Sequence, residues 1–330
     1  MAQNLEGRTR LNVRLLATAC LSALMLTACA EAETDSQTQD AAPENAAAEA
    51  GVQTPVAAPG ADIIANAPDS DWRTVDGEDL IHMVTSKGEV WIELQDEFTP
   101  VHAARVRQMA ETDWLDWKVF HRVIDGFMAQ GGGAVDNPSV QAPFDPIQAE
   151  FGIRRDPNAI IVDEIQERRA TRDGPMAQAG FWDGFPVGTQ PSALAGIVAD
   201  GRVESWLLHC NGAAAMARTN DPNSANAQFY IVRGDAEHLN TRYTVWGKVR
   251  VGQDVVESLN VGTQGQTLGF RPDIIEEFEL ARDMTDAPTV QVMDTRSASF
   301  TAYLEALAAS RDNGRLPDIC AIDVPVRVLD

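Results

Sequence analysis

Apolar and polar positions alternate in short runs through the middle of the chain. Residues 80–95, LIHMVTSKGEVWIELQ, hold two apolar-rich runs on either side of a Ser-Lys-Gly turn, a pattern that predicts a β-hairpin. The spacing then becomes helical. Thr99 stands as N-cap, Pro100 takes the first helical position, and Val101, Ala104, Val106 and Met109 form a stripe, so a helix is predicted over 99–115. WKVFHRVI returns to β character. AQFYIVRG and YTVWGKVRVG read as strands, GQDVVESLN as a short helix and PDIIEEFELARD as a last strand. Residues 134–208 lack a sustained period and are rich in Pro, Gly and Asp. They are expected to be mostly irregular, with a short helix at DEIQERRA and an aromatic loop at GFWDGFPVG. So long a connection inside a domain marks an insertion with a purpose. Residues 284–330 form a C-terminal extension, in which SFTAYLEALAASRDNG predicts an amphipathic helix ended by glycine.

The N-terminus follows a different logic. Arg8, Arg10 and Arg14 precede the apolar run LLATACLSALMLTACA. That run is shorter than the roughly 20 residues of a spanning helix, and residues 1–28 read as a signal peptide. The run ends in LTAC, residues 26–29, which resembles the lipobox of bacterial lipoproteins. Cys29 is therefore expected to carry lipid as the first residue of the mature chain; Cys20 is a weaker candidate. Residues 29–70 have almost no large apolar side chain before Ile63 and cannot bury enough surface to offset their ordering entropy. They are expected to be a flexible tether, with the folded domain over 71–283 and the insertion 134–208 inside it.

Composition narrows the function. Of 330 residues, 44% are hydrophobic, enough for a real core. The 49 acidic residues against 26 basic ones give a formal net charge of -23, which argues against a nucleic-acid partner, since phosphate binding needs a basic surface. No His/Cys/Asp group has metal spacing, and neither a phosphate-cradling glycine loop nor a nucleophile–base pair stands out. No metal or cofactor is expected.

Residues 119–132, VFHRVIDGFMAQGG, set the permanent cation Arg122 close to large apolar side chains and an amide. A charge beside apolar groups is costly unless a ligand uses both. This segment and residues 212–249, GAAAMARTNDPNSANAQFYIV…HLNTRYTVWGKV, resemble the cyclophilin-type peptidyl-prolyl isomerases in residues and in order. The resemblance spans about residues 80–283 without the insertion. It implies a mainly β fold, an eight-stranded antiparallel barrel capped by two helices. It also implies catalysis of X–Pro rotation without a covalent step. Arg122 falls on the family's catalytic arginine and Gln130 on the glutamine that orients it. Phe127, Met128, Tyr230 and Leu239 fall on the proline pocket. Ala217 and Gln228 fall on the groove, and His121 on a positioning histidine. His238 stands where many members have tryptophan, Tyr243 where the family has histidine, and Arg105 where asparagine is common.

The implied partners are proline-containing segments of exported proteins, and the lipid anchor implies a membrane. The expected place is the periplasmic side of a bacterial membrane, with the outer membrane favoured by Ala30 after Cys29. A monomer is expected. The alternative is a barrel that holds proline segments without turnover, or an envelope scaffold. Phe181, Trp182 and Phe185 are candidates for partner contact. Cys210 and Cys320 are the thiols left once Cys20 and Cys29 are set aside. In an oxidising compartment they can pair, although the sequence does not show that they are close.

Overall fold

The computed structural model describes residues 58–134, 136–137, 142–169 and 176–329. The expected signal peptide, the lipid site Cys29 and residues 29–57 of the expected tether lie outside them. The end of that tether is ordered: Ala61–Ala65 forms a short helix, and Ile63 and Ile64 pack on the extension's core.

The hairpin pairs Leu80–Thr85 with Gly88–Leu94, and the sheet grows antiparallel from both of its edges. On one side Gly88–Leu94 bonds Val245–Val251, followed by Ala213–Met216, Phe229–Val232, Met128–Gly131 and Arg122–Ile124. On the other, Leu80–Thr85 bonds Ile274–Leu280, which bonds Lys118–Val119. The sheet curls strongly enough for Val119 to bridge Gly133. Gly262–Thr263 pairs with the outer edge of Arg122–Ile124, and Lys118–Val119 and Arg122–Ile124 lie along one bent segment, so nine chain segments make the curled wall. Alternate side chains fill the inside, among them Ile81, Met83, Ile92, Val123, Phe229 and Trp246. The helix Pro100–Glu111 buries Ala103, Val106 and Met109 against this core, and the short helix Gln253–Ser258 buries Val256.

The cap of the longer helix is not the one expected. Thr99 makes no side-chain cap; its hydroxyl donates to the Gln95 carbonyl instead, at 2.9 Å. The Glu150 carboxylate, from the insertion, accepts the N–H groups of Val101 and His102 at 3.1 and 3.0 Å. It also meets His102 Nδ1 at 2.7 Å. Burial pushes the Glu150 carboxyl up, but these hydrogen bonds outweigh it and hold it below the usual range.

The insertion corrects the expectation of an irregular loop. Ile153–Arg155, Val203–Leu207, Phe185–Thr189, Met176–Trp182 and Asp163–Arg169 form, in that order, a five-stranded antiparallel sheet. DEIQERRA supplies a strand, not a helix. GFWDGFPVG is a hairpin whose turn residues Asp183 and Gly184 both take positive φ, 46° and 77°, as a tight hairpin turn requires. Phe181 and Phe185 are buried and so are not free for a partner. Val187 and Leu207 pack with Ala213, Ala215 and Val232 of the curled sheet. Phe181 meets Phe300 of the extension edge-on, ring centroids 5.5 Å apart.

The extension is not an appendage to a finished domain. Its strand Thr289–Met293 pairs with Trp72–Thr74 on one edge and Val326–Leu329 on the other. The helix Ala298–Ala309 is N-capped by Ser297, whose hydroxyl accepts the Phe300 N–H at 3.0 Å. The helix stops before Ser310, so Gly314 falls beyond its end. Cys210 and Cys320 are joined in a disulfide, Cα atoms 4.9 Å apart, tying the extension to the segment before Ala213–Met216. One buried carboxylate links three of these parts. Glu93 accepts Arg73 at 2.6 and 2.9 Å and Arg250 at 2.7 Å, while the two guanidiniums also donate to the carbonyls of Asp183 and Gly184 in the insertion's turn.

Candidate active site

Register builds the site. Arg122 lies directly opposite Gln130, and Gln130 directly opposite Tyr230, across three neighbouring strands. Side chains in such a row share one face, and their chain neighbours Val123, Ala129, Phe229 and Ile231 take the other, inside the core. The sequence therefore puts apolar residues inward and the row Arg122, Gln130 and Tyr230 outward by a simple period of two.

Arg122, Gln130 and Tyr230 line a cavity of about 260 Å³ together with Phe127, Met128, Ala217, Arg218, Leu239 and Tyr243. Phe127 follows a tight turn, its N–H bonded to the Ile124 carbonyl at 3.2 Å. Leu239 ends the short turn Glu237–Leu239, and the Tyr243 N–H returns to its carbonyl at 3.2 Å. The Arg122 guanidinium donates to Gln130 Oε1 at 3.4 Å and lies 3.7 Å from the Met128 sulfur. Gln130 Nε2 donates in turn to Gln228 Oε1 at 3.1 Å. This chain of amides fixes the cation at the cavity edge.

Three expected substrate contacts are placed elsewhere. Gln228 lines a neighbouring cavity of about 230 Å³, which shares Gln130, Ala217 and Arg218 with the first. His121 sits at the bend between Lys118–Val119 and Arg122–Ile124, is buried and does not line the cavity. Burial, with Arg122 close by, lowers the His121 pKa and favours the neutral ring. His238 is exposed, its ring 5.4 Å from that of Phe127, and flanks the cavity without lining it. Arg105 does not line the cavity; it donates to the carbonyls of Asn226 and Asp145.

Two residues escaped the sequence. His209 lies under the cavity, Nε2 3.0 Å from the Tyr230 hydroxyl and Nδ1 3.1 Å from Asn240 Oδ1. Burial lowers its pKa to about 4 and pushes the Tyr230 phenol well up, so both stay neutral. Arg218 lines both cavities and stacks over Tyr243, 4.2 Å from its centroid. Among the described residues no group of three His, Cys, Asp or Glu could hold a metal ion.

The geometry is a largely apolar cavity bordered by two arginines, Arg122 and Arg218, with the Gln130 amide beside Arg122. A family model described as cyclophilin type peptidyl-prolyl cis-trans isomerase/CLD matches residues 80–279. The chain belongs to the cyclophilins. Its activity is peptidyl-prolyl cis–trans isomerisation. A probable peptidyl-prolyl cis-trans isomerase of Brucella suis is 29% identical over 209 residues, 63% of this chain and 85% of its own. A peptidyl-prolyl cis-trans isomerase of Acinetobacter baylyi is 27% identical over 201 residues, 59% of this chain and 78% of its own. The crystal structure of cyclophilin AquaCyp293 from Hirschia baltica is similar with a TM-score of 0.67 at 35% identity, over 79% of this chain and 94% of that one. That likeness covers more of this cyclophilin than the family model does.

Proposed function

We propose that this cyclophilin accelerates X–Pro rotation in exported proteins, with Arg122 as the donor that stabilises the twisted amide. The bond's partial double-bond character sets a barrier of roughly 20 kcal/mol. As the amide twists, resonance is lost and the nitrogen lone pair emerges. A group that binds that lone pair binds the transition state more tightly than the planar ground state. Arg122 suits the task because a guanidinium stays protonated and presents its N–H groups in a rigid fork. Phe127, Met128, Tyr230 and Leu239 take the proline ring, Gln130 holds Arg122 in place, and Ala217 and Tyr243 bound the groove. Gln228 steadies Gln130, and His238 shields the open side of Phe127.

The observation that carries this reading is the row Arg122, Gln130, Tyr230 beside the cavity, with the 3.4 Å bond that fixes the cation. Refolding of a substrate protein limited by a cis-proline tests it. Substoichiometric parent protein is expected to accelerate the slow phase, and Arg122→Ala to lose most of that acceleration; equal acceleration by both removes Arg122 from the mechanism. Lipid at Cys29 and a periplasmic-side location belong to the same proposal, supported by the LTAC sequence and the arginines before the apolar run. Labelling of cells with a radioactive fatty acid should mark the parent chain and not Cys29→Ser.

A further inference from the structure

Arg218 takes no part in the step above, yet it stands where the two cavities meet. Its ring of contacts is unusual for a surface arginine. The guanidinium lies over the ring of Tyr243, at 4.2 Å, and over that of Phe151 of the insertion, at 5.8 Å. Nε and Nη2 donate to the Arg242 carbonyl at 3.1 and 2.8 Å, and Nη1 to the Thr219 carbonyl at 2.7 Å. Three of the five N–H bonds a guanidinium offers are thereby used, and the other two have no acceptor among the described residues. Among the described residues no carboxylate lies within ion-pair distance of Arg218, nor of Arg122 or the exposed Arg242.

The surroundings make this significant. The chain carries 49 acidic residues, but neither cavity is lined by an Asp or Glu among the described residues, while Arg122 and Arg218 line them. An acidic protein has thus kept its own carboxylates out of the groove and fixed a pre-organised cation in it. A cation held by aromatic faces and carbonyls loses little side-chain entropy on pairing, and two free N–H groups match the two oxygens of a carboxylate. We infer that Arg218 is a specificity-determining residue, selecting proline segments that carry a carboxylate side chain next to the proline. This rests on the isomerase reading for its turnover but not for its binding preference. Phe151 is then a positioning residue, and one purpose of the insertion is to hold Arg218 against Tyr243.

The test uses the full chain in detergent solution and short peptides that differ at one place. Glu, Gln or Lys is set in turn at each of the two residues before the proline and at the one after it. NMR exchange spectroscopy gives the isomerisation rate, and peptide shifts give Kd. At one of these positions Glu should be favoured over Gln about fivefold, the size of a partly exposed charge-assisted pair. Lys should be disfavoured there. The Glu/Gln ratio should collapse to about one in Arg218→Gln and fall part-way in Phe151→Ala. Each ratio compares two peptides on one preparation, so a loss of folded protein does not alter it. Raising salt should shrink the ratio for the parent. A parent ratio near one at all three positions overturns the proposal, as does a ratio that survives Arg218→Gln. If the parent binds without exchange, the Kd ratio still decides the role of Arg218, and the missing exchange counts against the isomerase reading alone.

Discussion

His209, bonded to Tyr230, makes the wall of the cavity beside Arg122 sensitive to acid. Its pKa falls from the ordinary 6.5 to about 4 in the folded chain, because burial disfavours the imidazolium. The hydrogen bond that the ring donates to Asn240 Oδ1 opposes that shift without cancelling it, and the charge of nearby His238 adds to it. The unfolded chain therefore binds more protons at 209 than the folded chain between those two values. The stability this residue contributes is present above the unfolded value and is lost as pH falls toward the folded one. The full linkage is about 3 kcal/mol, of which about 2 kcal/mol is lost between pH 7 and pH 5. Urea denaturation at those two pH values, on the parent and on His209→Gln, isolates the contribution, because the carboxylates titrate in both. The parent should lose about 2 kcal/mol more than the variant on acidification. Equal losses would refute the argument, and would mean that water or a rearranged Asn240 reaches the ring at little cost.

Two other perturbations probe how the parts are joined. Glu93→Gln leaves Arg73 and Arg250 facing each other without their shared carboxylate, and should cost about 3–5 kcal/mol in denaturant unfolding. It should also raise hydrogen exchange at the Asp183–Gly184 turn, whose carbonyls the same guanidiniums hold. The Cys210–Cys320 disulfide closes a loop of 110 residues. Reduction, or Cys320→Ser, should lower stability by about 4–5 kcal/mol on the chain-entropy model, read as a shift in the urea midpoint.

Legibility followed the range of the interactions. The hairpin at 80–95 and the strand around Arg122 could be read because their pattern is local: a period of two with one side buried. The same period put Arg122, Met128 and Gln130 on one face, so the resemblance and the register agree there. Asp163–Arg169 was misread because it is the outer strand of its sheet, where polar side chains are tolerated and the apolar alternation fades. The Asp-Gly pair at 183–184, between Phe181-Trp182 and Phe185, is a local hairpin signal. Other features are not local. Glu150 caps a helix that begins about fifty residues earlier in the chain, and His209 meets Tyr230 across 21 residues. Nothing local singles out Arg218, because the ring it lies over, Phe151, sits in a segment with no periodic signal. The extension was read as separate because strand pairing between Trp72–Thr74 and Thr289–Met293 spans more than 200 residues.

The most direct test of the account is cis–trans exchange on an Ala-Pro peptide, followed by NMR exchange spectroscopy with the parent and Arg122→Ala side by side. The parent should accelerate exchange, and the variant, with its fold retained by circular dichroism, should lose about 10²–10³ of that acceleration, as expected for removal of one pre-organised donor. Acceleration that survives Arg122→Ala would contradict the claim that this cation does the chemistry. A folded parent that shifts the peptide resonances without accelerating exchange would contradict turnover itself and leave a proline-binding barrel.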